Sequence, residues 1–249
     1  MGVQGPRSEV FTTVRADAKG NVADWPAHLN RLQAHAVRLR IPLPEVPSFE
    51  VQGDGKGETL VRIGFRPETE AWTITRRPLG VHNEDIDAIS YPAPRWNERT
   101  NGCKHGQWEA YNDARDAAEQ AGCDVALLVH DHAIVDADRA TPMVLDEDGT
   151  VWMAPVGDGG VEGIAAAVVE AALPSLGFPV VRGRLNERTV ARCAELVVVG
   201  TGMGACRINT IDGETLGDSR ALSRTCQAVL REHFTNEATW STTGQQRGA

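Results

Sequence analysis

The stretch from Asn101 to Val129 constrains the fold more than any other part of this 249-residue chain. A lysine bracketed by glycines, Asn101-Gly102-Cys103-Lys104-His105-Gly106, opens a polar helix predicted over His105 to Ala121, with Gly122 as its stop. Glycine ends helices because it enters the left-handed backbone region without steric cost. The apolar run Val125 to Val129 follows at once and reads as a buried strand. A helix delivered straight into a buried strand makes this an α/β chain.

The flanking segments extend the pattern. A strand is expected over Glu9 to Arg15, then a turn at Ala18-Lys19-Gly20-Asn21 and a helix from Pro26 to Arg40. Leu29, Leu32, Ala36 and Leu39 recur at intervals of three and four and give that helix an apolar face, which Ile41-Pro42-Leu43-Pro44 ends. Strands are predicted at Thr59 to Phe65 and Ala71 to Arg76. The prolines of Tyr91-Pro92-Ala93-Pro94-Arg95-Trp96-Asn97-Glu98-Arg99 mark an extended connection. After Val129, strands are expected at Ala133 to Ala137, Pro142 to Leu145 and Thr150 to Ala154, the last two joined by a turn at Asp146-Glu147-Asp148-Gly149. A helix over Glu162 to Ala172, a strand over Val180 to Arg184, a short helix over Glu187 to Arg192, a strand over Leu196 to Val199 and a tail helix over Ser219 to His233 complete the reading. The last fifteen residues are expected to fray.

Composition narrows the function classes. A formal charge of −9 without a basic run argues against a nucleic-acid partner. No run of about 18 apolar residues offers a membrane span, and the first residues lack the apolar core of a signal peptide, so a cytoplasmic protein is expected. Five cysteines, Cys103, Cys123, Cys193, Cys206 and Cys226, are widely spaced with no C-x-x-C pair, which predicts reduced thiols. His28 with His35, and His130 with His132, lack a third partner at a metal-ligand spacing, so no metal is expected.

Several motifs resemble, in order, those of the class IV pyridoxal-phosphate enzymes, the group of branched-chain aminotransferases, D-amino-acid transaminases and aminodeoxychorismate lyases. Phe11-Thr12-Thr13-Val14-Arg15 is similar to the family's phenylalanine-x-threonine strand, and His28-Leu29-Asn30-Arg31-Leu32 to its histidine-leucine-x-arginine-leucine helix. Lys104 and the ungapped run to Leu128 resemble the family's lysine, helix and strand. Val161 to Ala166 and Gly200-Thr201-Gly202-Met203-Gly204 resemble its two phosphate cradles, and Ile211 to Asp218 its closing segment. The resemblance covers roughly Val10 to Pro44 and Arg99 to Phe234. It implies a two-domain α/β (α+β) fold: a small N-terminal α/β domain over residues 1–92, a linker over 93–100, and a larger domain over 101–249 with a mixed sheet or pseudo-barrel. It also implies a homodimer, pyridoxal 5'-phosphate as cofactor and a small amino or carboxylate substrate. In this reading Lys104 carries the cofactor as a Schiff base and acts as catalytic base, Arg31 grips the phosphate with its fork of donors, and Gly163, Ile164, Thr201 and Gly202 supply backbone donors. The expected function is an aminotransferase or an aminodeoxychorismate-lyase-like C–N or C–C lyase.

The chain also departs from the family. The family's glutamate, which pairs with the pyridine nitrogen and keeps the ring an electron sink, falls on Ala137 when aligned through Ile134 to Arg139. Asp136 and Asp138 flank that position, and alternation along a strand turns both away from it unless the strand bulges or slips by one residue. Ala165 and Ala166 replace a threonine and an arginine, Pro142 an asparagine and Gln107 another asparagine. These losses open two alternatives. One is a cofactor-free lyase, hydrolase or cyclase using Lys104, His105, Asp136, Asp138 and Arg139; the other is a noncatalytic binding protein.

Overall fold

The computed structural model describes residues 5–47 and 57–243. In chain order the first elements are β1 (Val10–Ala16), β2 (Val22–Ala23), α1 (Trp25–Leu39), β3 (Thr59–Arg66), β4 (Ala71–Pro78), β5 (Asp85–Pro92) and α2 (Glu109–Gln120). Next come β6 (Val125–His130), β7 (Ala133–Ala137), β8 (Thr141–Leu145), β9 (Val151–Met153), α3 (Ile164–Ala172), β10 (Val180–Arg182) and β11 (Leu185–Asn186). The chain closes with α4 (Glu187–Ala191), β12 (Glu195–Gly200), β13 (Gly204–Ile211), β14 (Glu214–Thr215), α5 (Ala221–Thr235) and β15 (Trp240–Ser241). By contacts it divides into two units, one of residues 1–80, 103–108 and 232–249, the other of residues 81–102 and 109–231.

In the first unit five strands pair antiparallel in the order β15-β2-β1-β3-β4. β1 alternates Val10, Thr12 and Val14 with Phe11 and Thr13, and α1 packs on it. Proline in the first turn of α1 costs no hydrogen bond, because that N–H has no partner inside the helix. Arg40, at φ 55, ends the helix with its N–H turned back to Ala36 and Val37. The buried face of α1 is Trp25, His28, Leu32, His35, Ala36 and Leu39. Two histidines, His28 and His35, thus alternate with Leu32 and Leu39 on this face. Leu32, Ala36, Leu39 and Ile41 join Val10, Phe65 and Cys103 in one apolar cluster; Val14, Ala16, Val22, Trp25, Val61 and Ile63 form a second.

The predicted helix start at His105 is corrected, since α2 begins at Glu109. Backbone bonding explains the difference. Val10 and His105 form an antiparallel bridge, Phe11 N donates to Lys104 O at 3.3 Å, and Gly106 N donates to Pro6 O at 3.2 Å. A Cβ on Gly106 would overlap Ser8 Oγ and lie 2.7 Å from Glu9 N, so the lysine segment is an extended strap along the start of β1. Of the fifteen residues expected to fray, Trp240 and Ser241 instead pair with Ala23 and Val22, while 244–249 lie outside the described residues.

In the second unit nine strands follow the order β10-β9-β8-β12-β13-β5-β6-β7-β11, and β14 adds to β13. The pairs β9–β10, β5–β6 and β5–β13 are parallel and the others antiparallel, so the sheet is mixed. Ile86, Val125, Leu127, Val144, Leu196, Val198 and Ile208 meet in its core. β5 and β13, central strands, carry no expectation from sequence, because charged residues interrupt them. Asp85 pairs with Arg207 and Arg220, and Asp87 accepts from Thr210 Oγ1 at 2.7 Å. Those bonds let polar side chains occupy a central strand. Among the described residues no helix is long and apolar enough to cross a membrane, and no group of three or more His, Cys, Asp or Glu could hold a metal ion. All five cysteines are free thiols.

Candidate active site

The first unit concentrates cations and neutral imidazoles around the expected lysine. The backbone of Lys104 is pinned on two sides, its O accepting from Phe11 and its N–H donating to His35 Nδ1 at 3.1 Å. Its Nζ lies 4.6 Å from the Trp108 ring centre and 5.2 Å from that of Phe11, while those two rings meet edge to face at 5.1 Å. Arg31 Nη2 donates to Thr12 Oγ1 at 3.0 Å, and the Thr12 hydroxyl, 2.8 Å from His28 Nδ1, is left to donate onward. The Lys104 N–H makes Nδ1 of His35 an acceptor, so a neutral His35 carries its proton on Nε2. Burial, then the charges of Arg31 and Lys104, hold His28 well below the usual histidine range; the same causes take His35 down to about 3. Arg31 and Lys104 thus place two positive charges at one corner of this unit, a setting that favours an anion.

In the second unit the informative residue is Asp136. The β6–β7 ladder pairs Leu128 with Asp136 but Val129 with Ile134, leaving Val135 unpaired as a bulge. The extra residue re-aims the strand after it. Asp136, 4% exposed, lines a pocket with Val135, Thr141, Gly160, Val161 and Gly163. Its Oδ2 accepts from Tyr111 Oη at 3.1 Å and from Val161 N at 2.9 Å. Ala137 instead packs into the apolar core. The carboxylate facing the pocket is therefore one residue before Ala137, the position the family alignment gives it, and Thr141 faces the Gly163 turn, its Oγ1 2.7 Å from where a Gly163 Cβ would stand.

The two expected cradles both border the segment 139–141. Gly163 is the N-cap of α3 and brings no side chain to its first-turn amides, and Ile164 is the first helical residue. A Cβ on Gly200 would lie 2.8 Å from Arg139 O; Thr201 and Gly202 form the following turn, closed by Met203 N donating to Gly200 O at 3.2 Å. Asp138 and Arg139 do not join Asp136. Asp138 Oδ2 lies 3.2 Å from Arg139 Nε, and Asp138 Oδ1 accepts from Ala126 N at 3.3 Å, so the pair is tied to β6. Burial raises Asp138 to about 6 against the pull of Arg139. His105 accepts from Gln107 N at its Nδ1, and burial lowers it to about 4.

The amino-transferase class IV family pattern matches residues 53–211, well over half of the chain. The chain belongs to this family. Its fold is shared with a branched-chain aminotransferase from the thermophilic archaeon Thermoproteus uzoniensis, solved with norvaline, at 20% identity over 94% of this chain and 90% of that one, with a TM-score of 0.80. A putative 4-amino-4-deoxychorismate lyase from Legionella pneumophila aligns at 15% identity over 91% of each chain with a TM-score of 0.77. A hypothetical aminotransferase from Mycobacterium tuberculosis, in its pyridoxal-phosphate-bound form, aligns at 16% over 93% and 94% with a TM-score of 0.77. No curated protein sequence matches this chain.

The cofactor this class IV aminotransferase family implies is a phosphate ester of a pyridine aldehyde, and each unit carries residues that fit part of it. Arg31 and Lys104 give the first unit its positive corner. The uncapped α3 terminus and the bare glycines beside Thr141 and Ala140 suit a phosphate held by backbone N–H groups. Asp136 is a buried carboxylate of the kind a protonated ring nitrogen requires. Sequence reading gives no role to Tyr111, Trp108 or His35, and it admits Asp136 beside the cofactor only if β7 bulges, as it does at Val135.

Proposed function

We propose that this chain is a pyridoxal-phosphate-dependent transferase or lyase acting on the amino group of a small amino or carboxylate substrate. The observation that carries the reading is Asp136, a buried carboxylate lining the pocket beside the Gly160 to Gly163 turn. It supplies the group whose absence at Ala137 would otherwise favour cofactor-free chemistry.

The roles are taken from the family residue by residue. Bound pyridoxal phosphate supplies an electron sink for charge developing at the substrate carbon next to nitrogen, provided its ring nitrogen is protonated. Lys104 holds the cofactor through its side-chain nitrogen and, once freed, moves a proton at the substrate carbon. Arg31 binds the phosphate, with backbone N–H groups around Gly163, Ile164, Thr201 and Gly202 as further donors. Asp136 holds the ring-nitrogen proton. His28 and His35, kept neutral by burial and by the charges of Arg31 and Lys104, add no positive charge beside the phosphate-binding arginine. A homodimer and a cytoplasmic location accompany this reading.

The test is a half-reaction. Protein loaded with pyridoxal phosphate is mixed with a panel of amino acids and the loss of its visible band is followed. Wild type responds to at least one donor, and Asp136→Asn responds about 100-fold more slowly or worse. An Asp136→Asn rate equal to wild type would remove Asp136 from the chemistry.

A further inference from the structure

We infer that Tyr111 is a positioning residue for Asp136: together with the Val161 amide it holds the carboxylate ionised and fixed in its plane, and through it the proton on the ring nitrogen that Asp136 serves. This rests on the role given to Asp136 above. The geometry is local to one unit. Tyr111 projects from α2, is 4% exposed, and its hydroxyl and the Val161 N–H converge on the same oxygen, Oδ2. Donors to a carboxylate favour its ionised form and restrict its rotation.

The phenol remains a donor at any working pH, because burial, and then the charge of Asp136, push its own ionisation well above 10 against the pull of Arg95. Both donors are set by one loop. The Trp96 ring lies parallel to that of Tyr111, at an interplanar angle of 1° and a centroid distance of 6.4 Å. Trp96 N donates to Asn101 Oδ1 at 2.9 Å, and Arg95 Nη1 donates to Asp158 O at 2.6 Å. The residue after Asp158 is Gly159, at φ 104, whose Cβ, were there one, would lie 2.8 Å from Arg95 Nη1. The 95–101 loop thus backs the tyrosine with Trp96 and grips the turn leading to Val161 with Arg95. Around the carboxylate stand Tyr111 from α2, Val161 from the turn and, facing Tyr111, Arg95 from the loop.

The experiment uses the full chain without cofactor, labelled with 13C at the aspartate carboxyl carbon. The Asp136 signal is assigned by its loss in Asp136→Asn, and its titration is compared between wild type and Tyr111→Phe. Removing a donor to the ionised form raises the midpoint by about one pH unit or more. A midpoint unchanged within about 0.3 units overturns the inference, because a tyrosine that merely fills space leaves it unmoved. Should Tyr111→Phe not fold, the two tyrosines of the chain, Tyr91 and Tyr111, are replaced by 3-fluorotyrosine. The Tyr111 fluorine signal then follows the Asp136 titration in wild type and loses that step in Asp136→Asn; a signal blind to it overturns the inference equally. Cofactor binding, measured apart by visible absorbance, decides the functional reading and leaves this result standing either way.

Discussion

A histidine in an apolar helix face has a consequence for stability as well as for chemistry. His35 ionises at about 3 in the folded chain, far below its ordinary value, because it is buried beside Arg31 and Lys104. Between pH about 3 and 6.5 the unfolded chain therefore binds a proton there that the folded chain does not, so the contribution is complete above 6.5 and is lost as pH falls. At pH 4 the loss is at most ~3 kcal/mol from this one group. Urea denaturation from pH 7 to pH 4 tests this: His35→Asn, which keeps an acceptor but cannot titrate, flattens the dependence, and a slope equal to wild type contradicts it. The same residue shows why a site is harder to read from sequence than a fold. Leu32, Ala36 and Leu39 reveal the helix by spacing, and the same spacing puts His28 and His35 on its apolar face, but nothing in spacing says that their Nδ1 atoms meet Thr12 and Lys104.

At the scale of elements, the strand that most affects function is the one that breaks its own period. β7 is legible as Ala133 to Ala137 from its apolar run, yet the unpaired Val135 decides which of Asp136 and Ala137 meets the pocket, and a bulge has no signature in a five-residue segment. Gly160 packs against that bulge, where a Cβ would overlap Val135 O and lie 3.3 Å from Asp136 Cβ. Gly160→Ala is expected to destabilise the chain by about 2 kcal/mol, since the backbone must shift; a denaturation midpoint within error of wild type would argue against this packing. β5 and β13 escaped sequence reading for a different reason. Their charged members find partners far along the chain, Asp85 in Arg207 and Arg220, Asp87 in Thr210, at separations of 122 to 135 residues. Glu195, fully buried on β12, caps the distant helix α5 by accepting from Leu222 N at 2.7 Å and Ser223 N at 2.8 Å. Glu195→Ala strands those amides and is expected to cost about 2 to 3 kcal/mol, read by chemical denaturation.

For the whole molecule, the end of the chain belongs to the unit that begins it. Trp240 and Ser241 extend the first sheet beyond β2, Trp240 Nε1 donates to Phe234 O at 2.9 Å, and His233 Nε2 lies 2.9 Å from Asp24 Oδ1. Truncation after Asn236 is therefore expected to lower the melting temperature by about 5 °C, roughly 2 kcal/mol for a chain of this length; an unchanged melting temperature would make β15 dispensable. The central claim is that a class IV aminotransferase family member with a bulge-delivered aspartate still works through Lys104. The most direct measurement is borohydride reduction of the purified chain saturated with pyridoxal phosphate, followed by mass analysis of the peptide holding Lys104. The account predicts the reduced phosphopyridoxyl mass on Lys104 alone, and its absence from Lys104→Ala; an unmodified Lys104 peptide from wild type would contradict it.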